Sequence, residues 1–434
     1  MTLRPVLALA TSSLLLLALG GCAPATPTVS LRLWDPYVAD AYRESLDRFE
    51  TESGIAVEIV VVPWADYWTQ LRLDIASGTV DDVFWTNAAN FQDYALSDRL
   101  IPVSPDQLAA QGKDWPVSVV EQYSLESELW GVPQITDPGI ALLYNADLLE
   151  QAGIPPSRVE GLSWDPSAPD DELREVARLL TLDAKGRHPG DAGFDARRVS
   201  QYGFGAANDL NAVLLQFLAG NGAAWQRGDE FVFADDRGIA AVRYLVELIG
   251  VEQVAPPAAD TNPPAGGDFL RDQFLQGRIA LFPTGAYHLA AVDELADFDW
   301  GIAPFPAWPA GALSVTNGII AAASADSDAT AEQRALLDWL GSSAGQEPIG
   351  RSGAALPASL DAQQAYADSW AERGIDLDPM LDILDNGSVQ APQGSRYTVA
   401  AAAMEQTLNS IFLGRTPPEV GLPEAQRLAN AELR

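Results

Sequence analysis

The chain has 434 residues, 60 of them acidic and 26 basic, for a formal net charge of −34. Recognition of phosphate or an anionic bilayer needs clustered Lys and Arg, so this balance argues against a nucleic-acid or anionic-surface partner. One cysteine, Cys22, allows no intramolecular disulfide, and two isolated histidines, His188 and His288, fall short of a typical zinc centre.

The first predicted element is a leader. Arg4 supplies a basic start, 6–19 is mostly Leu and Ala, and Leu19-Gly20-Gly21-Cys22 closes it with small residues. A basic start, an apolar stretch of about 7–15 residues and a small-residue end describe a signal peptide. The stretch falls short of the roughly 20 apolar residues that span a bilayer. L-G-G-C resembles the bacterial lipobox, which implies cleavage before Cys22 and a diacylglyceryl group on its sulfur. Residues 1–21 are then the signal peptide and 22–28, which contains P-A-T-P-T, a lipidated tether. Membrane contact is expected through that lipid alone, at about 0.8 kcal/mol per buried methylene. The remaining body is larger than one hydrophobic core usually supports, so two lobes are expected.

The body opens with strand, helix, strand, helix, strand at 29–34, 39–52, 57–62, 66–77 and 82–85, the βαβ pattern of a parallel sheet. Turn residues cluster around Val132-Pro133 and Asp137-Pro138-Gly139, which reads as a connection. A strand at 140–144 and helices at 147–152 and 173–182 follow, then a Gly/Asp/Arg-rich surface loop at 183–199. Helices are predicted at 212–220, 239–249 and 269–276, with a Pro/Gly loop at 256–267. Strands at 279–282 and 315–323 and helices at 332–340 and 399–413 complete the chain, with no internal repeat.

Several stretches resemble the sugar-binding branch of the ABC-importer solute-binding proteins, the group of maltose-binding protein. They are Leu46-Asp47-Arg48-Phe49-Glu50 with Gly54-Ile55, then Ile75-Ala76-Ser77-Gly78 with Asp82-Val83, where Asp81 stands in place of the usual proline. They continue with Leu142-Leu143-Tyr144-Asn145 and Ala152-Gly153-Ile154, Phe274-Leu275-Gln276-Gly277-Arg278-Ile279-Ala280-Leu281, and Gly301-Ile302-Ala303-Pro304-Phe305-Pro306. The resemblance implies a two-lobed α/β, periplasmic-binding-protein-like fold of the class II type, with the ligand in a cleft between lobes. It implies crossings near Asp137, Leu313 and Ala358, hence one lobe of 29–136 with 314–358 and another of 137–313 with 359–434. It also implies an ABC permease as partner, a monomer, no cofactor and no enzymatic chemistry.

A sugar presents hydroxyl edges and C–H faces, which polar side chains and aromatic rings recognise respectively. Trp34 and Asp35 follow the first strand and Trp64 the second, at the strand ends where α/β sheets bind ligands. Trp34 reads equally as core, and Asp35 equally as a helix cap. By the resemblance, Trp85 and Asn87 at the third strand end and Asp137 at the first crossing face the cleft, and Asp137 reads equally as a turn residue before Pro138. Tyr287 falls where G-x-W is usual, and Trp225, Trp308, Asn317, Arg396 and Tyr397 complete the candidates. An enzyme reading finds little purchase. Gly341-Ser342-Ser343-Ala344-Gly345 matches G-x-S-x-G but follows a helix rather than a strand. Sixty acidic residues permit many carboxylate pairs, and no spacing singles one out. A sensor of the same fold stays open.

Overall fold

A computed structural model of the chain describes residues 26–261, 266–307, 314–385 and 388–433. The leader, Cys22 and Trp308 lie outside the described residues.

Strand β1 (Thr28–Leu33) buries Val29, Leu31 and Leu33 completely. It lies between β2 (Ala56–Val61) and β3 (Val83–Asn87), parallel to both, so the carboxyl ends of all three strands share one edge. Arg32 of β1 is buried too, because Asp74 (2.7 Å) and Asp81 both pair with it. Asp81, the departure from the family's proline, thus has a structural partner. Helix α1 (Pro36–Ser53) starts three residues earlier than predicted. Asp35 Oδ1 accepts from the backbone N–H groups of Tyr37 and Val38, and Pro36 suits the first helical turn. Gly54, at φ 73°, closes the helix in a left-handed conformation that favours glycine. Helix α2 (Trp64–Ser77) connects β2 to β3.

The predicted connection at 132 is instead a strand, β4 (Val132–Asp137). Proline lacks the N–H for a ladder, but the register shifts beside Pro133, and strands accept proline at such a bulge. The second sheet consists of β5 (Ile140–Asn145), β6 (Val199–Phe204), β7 (Ile279–Gly285) and β8 (Trp300–Ala303), in the order β8-β5-β7-β6. A short strand, Leu182–Asp183, extends it on β6 and opens the segment predicted as a loop. Strand β9 (Ser314–Ser324) returns to the first sheet, antiparallel to β3 and to β4. Its first residues pair in parallel with β10 (Ser388–Gln390).

Each sheet has its own core. Tyr42, Phe49, Phe84 and Leu336 pack around the first, and Phe204, Phe217, Tyr244 and Leu281 around the second. The result is a two-lobed α/β molecule. Between the sheets the chain segments lie side by side. β4 pairs with β9, while Thr136 N–H donates to Leu356 O and Ala358 N–H to Gln134 O, each at 3.0 Å.

Candidate functional site

The candidate side chains sit at the strand ends of the two sheets. On the first, β1 ends in Trp34 and Asp35, β2 in Pro63 and Trp64, and β3 in Asn87. Trp34 is the hub of an aromatic cluster, with ring centroids 5.3 Å from Trp64, 4.9 Å from Tyr67, 5.4 Å from Trp68 and 5.0 Å from Trp85. Edge-to-face packing of this kind fixes ring orientation. Trp64, in the first turn of α2, keeps 48 % of its surface exposed. Trp85 is 1 % exposed and supports Trp34 from beneath. Burial raises the Asp35 carboxyl to about 6, against the backbone hydrogen bonds that hold it down.

At the crossing, Asp137 of β4 pairs directly with Asn317 of β9, and Asn87 of β3 with Ile319 two residues on. Directly opposed residues share a face and the period along a strand is two, so Asp137, Asn317 and Asn87 point the same way. Asn87 Oδ1 accepts from Asn90 Nδ2 at 2.7 Å. Asn317 Oδ1 is buried without a hydrogen-bond partner. Among the described residues Asp137 accepts only from Gly139 N–H, at 3.1 Å, and burial raises its carboxyl to about 7.

On the second edge, β7 ends in Gly285 and leads to Tyr287, a residue 41 % exposed. A side chain at Gly285 would run into that ring, so glycine lets it lie against the backbone. Burial and the neighbouring Asp209 and Asp137 carboxylates raise the Tyr287 phenol well above its ordinary value. Asp209, absent from the sequence expectations, caps the turn Leu210–Leu214 by accepting from Ala212 N–H at 2.9 Å. Burial raises its carboxyl as well. A bare N-D-L stretch gives no sign that the cap also lies beside Tyr287. Tyr366 was also unforeseen; its buried phenol is raised by burial and by Asp137.

Of the other candidates, Trp225 and Tyr397 are buried, while Arg396 is exposed. Trp225 is 5 % exposed and stacks on Phe233 at 4.4 Å, and Tyr397 is buried against Phe231 with its hydroxyl beside Trp225. Arg396 extends its side chain to Glu432 at 3.8 Å, while its backbone N–H donates to Asp93 Oδ1 of the first lobe at 2.7 Å. Two cavities of 320 and 380 Å³ are lined by none of these side chains. Among the described residues no cluster of His, Cys, Asp and Glu has the geometry to hold a metal ion, and no helix is long and apolar enough to cross a membrane.

A fold of two α/β lobes, each built on its own sheet, is the architecture of a solute-binding protein. The chain matches the family described as bacterial extracellular solute-binding protein over residues 35–347, and it belongs to that family. Among solved structures it is similar to M. tuberculosis UspC, with 44 % identity, 93 % of this chain and 100 % of that one covered, and a TM-score of 0.73. It shares its fold with an ABC transporter solute-binding protein from Thermotoga lettingae bound with α-D-tagatose (19 % identity, TM-score 0.78, 94 % and 100 % covered). It is 28 % identical over 145 residues to the lactose-binding protein of Rhizobium radiobacter, covering 32 % of this chain. The chain spans about a third (33 %) of that curated relative's length.

Proposed function

We propose that this protein is the extracytoplasmic carbohydrate receptor of an ABC importer. It captures a mono- or oligosaccharide reversibly between its lobes and delivers it to the permease, performing no chemistry on the ligand. The observation that carries this reading is the pairing of a part-exposed tyrosine, Tyr287, with carboxylates at Asp137 and Asp209 in one lobe, together with an aromatic cluster ending in Trp64 in the other. Rings take the C–H faces of a sugar, and carboxylates and amides take its hydroxyls. The names of two relatives, a lactose-binding protein and a tagatose-bound receptor, support the same ligand class.

The adjacency of β4, β9 and 356–358 supports a hinge between lobes of 29–136 with 314–358 and 137–313 with 359–434. The ligand favours the closed form because only there do both lobes touch it. Lipidation at Cys22 would keep a monomeric receptor at the outer face of the cell membrane. The test is a panel of mono- and oligosaccharides followed by tryptophan fluorescence and thermal shift. Binding of at least one sugar, lost in Trp64→Ala and weakened in Asp137→Ala, is the expected result. A response to peptides or polyamines and to no carbohydrate overturns the reading.

A further inference from the structure

The net charge of −34 hides a local excess of the opposite sign. Among the described residues, Lys185, Arg197, Arg198, Arg278 and Arg415 are exposed and make no ion pair. Backbone contacts gather them on one face of the second lobe. Ala184 N–H donates to Arg198 O at 2.7 Å, which sets Lys185 near Arg198. Tyr202 N–H donates to Arg278 O at 2.8 Å, which joins the residue before β7 to β6. Arg197 and Arg198 stand in sequence between Ala196 and Val199, and Arg415 follows Gly414; those three neighbours line one groove.

That groove is the 320 Å³ cavity between the start of β6 and the carboxyl ends of the helices Asp236–Gly250 and Tyr397–Phe412. Its wall is largely apolar, formed by residues such as Val199, Tyr202, Ile249, Ala258, Phe412 and Leu413. Val251, which follows the lining residue Gly250, leaves a further apolar side chain 72 % exposed. Nearby acids do not cancel the cations. Arg178 holds Glu252 at 2.7 Å and Arg187 holds Asp183 at 2.6 Å. Asp191 and Asp195 accept the N–H groups of His188 and Arg197 in their own loop, at 2.8 and 3.2 Å. Asp260, beside the lining residue Ala259, is exposed, a single acid facing several free cations.

The groove touches β6 at its first residue, whereas Tyr287 follows the end of the parallel strand β7. The seven residues of β7 separate those two ends by about 20 Å. The surface is thus distinct from the sugar site. Guanidinium groups match carboxylates, and an apolar hollow takes a side chain that a partner inserts. A bilayer fits less well. A chain this acidic is repelled by anionic lipid, and interfacial binding needs apolar groups that project rather than a hollow that recedes. We propose that this face docks an acidic segment of another protein, with an apolar side chain in the groove and Asp or Glu residues on Arg197, Arg198, Arg278 and Arg415. All its residues belong to one lobe, so docking does not require the lobes to close.

The experiment is fluorescence anisotropy on the full chain with labelled peptides of about 12 residues, in which Leu, Phe or Trp is flanked by Glu. Controls replace every Glu by Gln, or the apolar residue by Ser. The expected result is that an acidic, apolar peptide binds at least about tenfold tighter than either control, about 1.4 kcal/mol, and weakens with salt. That advantage should disappear in Arg197→Glu with Arg415→Glu, which reverses the rim, and in Ala259→Trp, which fills the groove. All three positions are exposed, and thermal melts verify folding. Binding that survives both variants, or no preference for the acidic peptide, overturns the inference. Phosphatidylglycerol vesicles and sedimentation velocity supply the remaining arms. If vesicle binding or self-association depends on Arg197 and Arg415 while the peptides do not bind, the occupant is a bilayer or a second copy and the inference falls.

Discussion

Asp81 and Asp137 show how two carboxylates in one acidic chain come to differ. Asp81 pairs with a buried guanidinium, Arg32, which keeps only the half-buried Asp74 if Asp81 is lost. Removing one partner of a buried pair costs more than the pair contributes, because a charge is left stranded. Asp81→Ala should therefore lower stability by about 1–3 kcal/mol in urea unfolding, and a change below about 0.5 kcal/mol would contradict this account. Among the described residues Asp137 lacks such a partner. Its carboxyl is raised to about 7 by burial, so between the unfolded value near 4 and 7 the folded state holds the extra proton. Stability from this group is present at low pH and is lost as pH rises through that window. Tyr287 and Tyr366 lie near it, and neither supplies a positive charge. Asp137→Asn should gain on the wild type between about pH 5 and 8, by on the order of 1–2 kcal/mol in melts across that range. An unchanged difference across that range would place the proton elsewhere.

At the scale of elements, how far the sequence can be read depends on whether a pattern is local. Strands β1 to β3 and helices α1 and α2 follow from apolar periodicity, and α1 differs from expectation only by the Asp35 cap and Pro36. Strand β4 was hidden by Pro133, whose bulge appears only once β9 is alongside. Strand β6 was hidden by Gly203, which reads as a breaker. Its hydrogen occupies the place where a side chain would overlap Ala177 O, so the glycine lets a helix pack on the strand. Strand-end rings such as Trp34 and Trp64 were legible for the same local reason, whereas Asp209 needed the tertiary fold to bring its turn beside Tyr287. The β4–β5 crossing yields a further prediction. Gly139 has φ 116°, and a Cβ there would stand 2.6 Å from Ser314 Oγ, the atom that accepts Ile140 N–H at 2.7 Å. Gly139→Ala should cost about 1–3 kcal/mol through backbone strain and displacement of Ser314. Urea unfolding of the variant measures it, and a loss within error would mean that the crossing relaxes freely.

Across the whole molecule, two contacts bridge the lobes beside the cleft. Tyr37, next to the Asp35 cap, has its phenol pushed up to about 12 by burial and by the Glu294 carboxylate of the helix Leu289–Leu295. On the other lobe, the Arg396 backbone N–H donates to Asp93 Oδ1 in the helix Phe91–Leu96. Arg396 holds a left-handed φ of 61°, uncommon for a side chain of that size, and the Asp93 contact helps to keep it there. A bond made only when the lobes meet stabilises the closed state alone, so it should slow ligand release and leave capture unchanged. Hydrogen bonds to a charged acceptor contribute about 1.5–3 kcal/mol when shielded and less where water reaches them. Asp93 is partly exposed, so Asp93→Ala should raise koff and Kd by about five- to tenfold. The ligand-free melting temperature should change little, because neither core includes Asp93. Stopped-flow tryptophan fluorescence with the sugar identified by the panel separates the rates. An effect confined to kon, or no effect on either rate, would show that Asp93 and Arg396 do not hold the lobes together around the ligand.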